Sequence, residues 1–204
     1  MTDILADERL VWFVMRGSGI VLLVLFTAAV VLGTVSSHGG ASRPGARVDP
    51  DAVRVRGVSR FALTRVHRDV SLICLALLAL HALSAAYHGF VDIGWVDVAV
   101  PFVSSYERLW IGLGTAALDL LVAASLAAAL RERLGRRAWR AVHATTYLAW
   151  VLAVAHTLGI GTDRSQTWAV VVGVCCAVAF AVAVVWRLTW RREPAPLVRH
   201  GALR

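Results

Sequence analysis

Five apolar stretches, each close to the length of a membrane-crossing helix and joined by short polar connections, constrain this 204-residue chain more than any other feature. They run over Val11–Gly33, Val70–Tyr87, Leu109–Leu130, Tyr147–Ile160 (extended backwards by Ala141–Thr146) and Trp168–Trp186. A helix needs roughly 20 apolar residues to cross a hydrocarbon core. Five such runs at regular spacing exclude a soluble fold, and 17% charged residues leave too little polar surface to build one. The sequence therefore predicts an all-α integral membrane bundle with spans at about 11–33, 66–87, 109–130, 140–160 and 168–187. These form one domain, 1–190, followed by a polar tail, 191–204.

The formal charge of +8 does not indicate a nucleic-acid partner. Every one of the 21 basic residues is arginine, and most lie between the apolar runs, where positive-inside residues belong. Seven arginines lie between spans one and two, five between spans three and four, and five after span five. The connection from Tyr87 to Arg108 instead carries Asp92, Asp97 and Glu107, and the Gly159–Thr167 turn has only Arg164 beside Asp163. This alternation puts the N-terminus outside and the C-terminus in the cytoplasm. The leader Met1–Leu10 is acidic and no A-x-A site follows the first run, so that run reads as a retained span rather than a cleaved signal. A multi-pass protein of the cell (plasma) membrane, in contact with lipid, is the expectation.

Ser36–Arg60 is rich in glycine and proline and reads as a polar loop. His88–Tyr106 mixes aromatics with aspartates and reads as an interfacial segment capping the outer end of the bundle. Cys74, Cys175 and Cys176 lie inside apolar runs with no metal spacing, and read as small packing residues.

Four of the seven histidines lie in the spans. His67 and His81 are 14 residues apart on span two, and His143 and His156 are 13 apart on span four. Both spans run in the same direction, so His67 and His143 share one depth and His81 and His156 another. Two histidines at one depth on parallel helices can ligate one iron from opposite sides. At 1.5 Å per residue the levels are about 20 Å apart, room for two stacked hemes. Six-coordinate iron with no open position favours electron transfer over oxygen binding. Ionisable groups inside a membrane are costly, which argues against four idle ones. Helical phase suits span two, where 14 residues return to within roughly 40°. It does not suit span four, where 13 residues leave roughly 140°, so a 3₁₀ stretch, kink or tilt is required there.

The segments RVHRDVSLICLALLALHAL and RRAWRAVHATTYLAWVLAVAHTLG, with RGSGIVLLVLF in span one, resemble the ferric-reductase-like transmembrane domain. NADPH oxidases, ferric reductases and the heme-binding membrane subunit of the periplasmic methionine-sulfoxide reductase share that domain. The resemblance implies b-type heme, two per chain, on His67, His81, His143 and His156. It also implies electron movement from a flavoprotein or quinol donor to an extracytoplasmic acceptor, as the membrane subunit of an oxidoreductase. The chain departs from the oxidases in lacking a C-terminal flavin and nicotinamide domain. It is nearer the stand-alone subunits, some of which carry one heme with FMN, FAD or a quinone.

Arg68 and Arg140 flank the cytoplasmic ligands and suit the anionic propionates of heme, or simple anchoring. Arg16 and Arg108 lie at outer span ends, where the positive-inside rule does not ask for them. Asp119, mid-way along span three, suits a bond to a ligand histidine or a proton path. His88 follows His81 on nearly the same face, and Tyr147 and Trp150 lie between the span-four ligands. A histidine and Asp119 proton relay without heme is the competing function, against which stands the absence of repeats or broken spans of the kind transporters use.

Overall fold

A computed structural model describes residues 8–36, 54–55, 58–87, 92–160 and 166–190. In chain order they form α1 (Glu8–Ser36), a minimal hairpin of β1 (Arg54–Val55) and β2 (Val58–Ser59), α2 (Arg60–Tyr87), α3 (Trp95–Ala99), α4 (Arg108–Ala129), α5 (Arg131–Ala144), α6 (Thr146–Gly159) and α7 (Thr167–Trp190). The hairpin is antiparallel, with Arg54 opposite Ser59 and Val55 opposite Val58. Among the described residues five helical segments are long and apolar enough to cross a membrane, Leu10–Ser36, Phe61–Tyr87, Arg108–Ala129, Arg131–Gly159 and Thr167–Thr189. The fold is the all-α membrane bundle the apolar runs predict.

A spanning helix must satisfy its backbone internally, and polar side chains inside it need partners too. Hydroxyls in these spans bond back to their own helix: Thr27 to the Leu23 carbonyl, Ser71 to that of His67, Ser125 to that of Leu121 and Thr157 to that of Ala153. Apolar side chains face outward as freely as inward. Val174, Val178 and Val182 on α7 are 56–62% exposed, as suits a helix whose solvent is lipid.

The helices pack in antiparallel neighbours, α1 along α2 and α4 along α6, with α7 and α6 laid against α1. The core lies where they meet, in Leu22, Leu23, Phe26 and Val30 of α1, Cys74 of α2, Ala149 and Trp150 of α6, and Cys176 of α7. Cys74 and Cys176 fill core space as small residues, and Cys175 faces outward. Trp150 is 4% exposed, stacks on Phe180 at 3.9 Å with rings 4° from parallel, and donates its indole N–H to Thr27 Oγ1 at 2.9 Å.

The fourth span departs from one regular helix in two places. The arginine-rich stretch before it is helical rather than a loop, because Arg, Leu and Ala favour helix. It is interrupted only at Gly135, whose φ of 74° admits no ordinary side chain. The span then breaks again at Thr145, between α5 and α6. Thr145 N–H bonds the Val142 carbonyl three residues back, at 3.1 Å. The Thr145 hydroxyl reaches that carbonyl too, at 2.7 Å, and the Thr146 hydroxyl reaches the His143 carbonyl at 2.8 Å. A break here is one of the ways, 3₁₀ stretch, kink or tilt, in which the 13-residue spacing can turn both rings to one side.

The segment before α4 closes one end of the bundle. Asp97 caps α3, its carboxylate accepting from Gly94 N–H at 2.8 Å. The Asp97 carbonyl accepts from the Thr115 hydroxyl of α4 at 2.7 Å. Phe102, with φ of 64°, lays its ring on Gly112, where any side chain would collide with it.

Candidate functional site

The two parallel helical tracks, α2 and α5–α6, bring the four span histidines together in pairs. His81 and His156 form an upper pair, at the end closed by α3, with ring centres 6.4 Å apart and planes at 84°. His67 and His143 form a lower pair at 6.2 Å and 82°. Two imidazoles reaching one metal from opposite sides, with bonds of about 2.0–2.1 Å and about 1.1 Å from ring centre to nitrogen, would have their centres about 6.3 Å apart. Both pairs meet that spacing.

Three of the four rings are held by main-chain carbonyls. Nδ1–H of His81 donates to Met15 at 2.8 Å, that of His67 to Ala29 at 2.9 Å, and that of His156 to Trp110 at 2.8 Å. A carbonyl accepts, so Nδ1 must carry the proton, and Nε2 keeps its lone pair for a metal. Each ring also lies over a glycine. A Cβ added at Gly19 would come within 2.9 Å of His81, at Gly33 within 3.1 Å of His67, and at Gly114 within 2.6 Å of His156. His143 is the exception, its Nδ1 buried without a hydrogen-bond partner among the described residues. Its ring stacks on Trp139 at 5.6 Å, and the Trp139 indole nitrogen is equally unpartnered.

A cavity of about 460 Å³ opens between the upper histidines, lined by side chains such as Phe26, Leu78, Ile111 and Leu118. Its size is that of a cofactor site and its walls are mostly apolar. Among the described residues no third His, Cys, Asp or Glu joins either pair to make a metal cluster. A bare zinc ion would lack ligands. A metal whose equatorial positions come from a macrocycle needs only the two imidazoles, so the donor set fits heme.

The remaining sequence candidates fall elsewhere. Arg68 and Arg140 are exposed beside the lower pair. Arg16 is half-buried, lines the upper cavity and lies over the Trp12 ring at 4.4 Å, whereas Arg108 is exposed and outside it. Asp119 is exposed on α4, and main-chain carbonyls rather than its carboxylate hold His67, His81 and His156. His88 lies outside the described residues. The sequence reading missed Trp139, four residues before His143 and so on its helical face. It also missed Arg187, which donates to the Tyr147 hydroxyl at 2.9 Å near the lower pair.

Helices and paired imidazoles define a multi-pass membrane protein of redox type. Residues 18–154 match the family model described as ferric reductase like transmembrane component. That is two thirds of the chain, which therefore belongs to this family, the membrane electron-transfer components of reductases. The match takes in His67, His81 and His143 and stops two residues short of His156. No curated protein and no solved structure matches the chain.

Proposed function

We propose that the chain is a membrane cytochrome b, the plasma-membrane subunit of an oxidoreductase. Residues 1–190 form its heme-binding domain and 191–204 a cytoplasmic tail. His81 with His156 and His67 with His143 would each hold one b-type heme, which supplies a one-electron centre when bound. The observation that carries this reading is the pairing itself: imidazole centres at 6.2 and 6.4 Å, with no third protein ligand among the described residues. Paired ligands leave no open iron position, so electron transfer is favoured over ligand chemistry.

The chain's own residues do the rest. Main-chain carbonyls fix the rings of His67, His81 and His156 with Nε2 turned inward. The apolar cavity wall excludes water, and Trp150 with Phe180 fills the layer between the pairs. Arg68 and Arg140 stand beside the lower pair for propionates. By the arginine alternation the lower level is cytoplasmic, facing a flavoprotein or quinol donor, and the upper level faces an extracytoplasmic acceptor.

A second reading, one heme with a flavin or quinone, draws on the difference between the levels. The cavity and both Nδ1 bonds belong to the upper pair, whereas His143 is unheld. Purified protein is expected to show a reduced-minus-oxidised heme b spectrum with two hemes per chain. His81→Ala or His156→Ala should remove one and leave the other. A colourless preparation from heme-replete cells would end the proposal, and one heme with one flavin would favour the second reading.

A further inference from the structure

The three held histidines share a feature that the fourth lacks. The acceptor carbonyl and the glycine beneath the ring are four residues apart each time: Met15 and Gly19 for His81, Ala29 and Gly33 for His67, Trp110 and Gly114 for His156. In a helix the carbonyl of residue i points along the axis toward residue i+4, whose Cβ leans back over it. Remove that Cβ and an imidazole from a neighbouring helix can reach the carbonyl. Restore it and the ring is kept off. The 2.6–3.1 Å clashes that a Cβ would meet at these glycines measure that exclusion.

For His143 the backbone carbonyl facing the ring is that of Ala124, but it does not meet hydrogen-bond geometry at Nδ1. The residue four beyond it is Ala128, not glycine. His143 is also the one ring whose Nδ1 lacks a partner. We infer that the glycine four residues after each acceptor carbonyl is a positioning device for the histidine opposite, and that Ala128 withholds it from His143.

The inference rests on the heme reading above and adds an asymmetry to it. A ligating imidazole whose N–H is hydrogen-bonded is the more basic ligand, and stabilises oxidised iron relative to reduced. The lower pair has one such ligand and the upper pair two. The lower centre is therefore the more easily reduced of the two, set apart by one methyl group on α4.

The test is redox titration of the heme-loaded full chain, with each centre assigned through His67→Ala and His81→Ala. Ala128→Gly is expected to lower the potential of the lower centre only. A tenfold change in its oxidised-to-reduced ratio corresponds to about 59 mV for one electron. Gly114→Ala is expected to do the reverse, raising the upper potential by a similar factor, and keeps the test open should Ala128→Gly fold poorly. Potentials unmoved in both loaded variants, or moved at the wrong level, overturn this inference alone. A protein that takes up no heme overturns the reading beneath it.

Discussion

The turn between α5 and α6 offers a sharp test, because the upper pair depends on it. Thirteen residues of regular helix fall about 140° short of four turns. Each residue moved into 3₁₀ geometry gains about 20°, so one tightened turn supplies about 60°, leaving the rest to the break in the helix axis. Two hydroxyl bonds hold that turn, Thr145 to Val142 and Thr146 to His143. Replacing both threonines by valine keeps shape and branching and removes both bonds. At a net of about 0.5–1.5 kcal/mol each, the pair biases the turn by about 1–3 kcal/mol. Relaxing it by 60° swings a group about 6 Å from the axis through about 6 Å, against a metal-bond tolerance of about 0.2 Å. Hemin titration of the T145V/T146V chain in detergent is therefore expected to show the upper site weakened at least five-fold and the lower site near wild type. Two unchanged binding phases would refute the argument that the hydroxyls set the phase.

Three further outcomes are expected. The near-perpendicular imidazoles, at 82° and 84°, leave two iron d orbitals nearly equal in energy, so oxidised protein should give strongly anisotropic low-spin paramagnetic resonance; a rhombic spectrum of parallel rings would contradict the geometry. Asp119→Asn should leave heme content and both potentials as they are, since Asp119 is exposed and touches no histidine; loss of either heme would return it to the site. Trp150→Phe keeps the stack on Phe180 but loses the bond to Thr27, and thermal unfolding should show a cost of about 1 kcal/mol. Thr27→Val added to it should cost little more, because the two share one bond.

Hydropathy was enough for the spans, since a membrane asks for length and apolarity without a finely tuned face. Depth-matched histidines on parallel spans were legible for the same reason, because residue number converts directly to height. What held the rings was not. A main-chain carbonyl carries no residue identity, so Met15, Ala29 and Trp110 gave no sign of their role. The glycines did leave a trace: Gly19 and Gly33 are 14 apart, the spacing of His67 and His81 on the helix running the other way. The role of Asp119 stayed open because position along a helix is easier to see than direction around it. The arginine-rich lead into span four was read as a connection because charge was weighed above helix propensity.

The carbonyls of Met15 and Ala29 belong to one unbroken helix, and each holds a different level of the bundle. No side-chain substitution can delete such an acceptor; only movement of α1 can. A slide of α1 along α2 would release His81 and His67 in the same stroke, so the two histidine levels are geared to a single shaft. Whatever pushes on α1, from lipid thickness to a docked subunit, would shift both rings together.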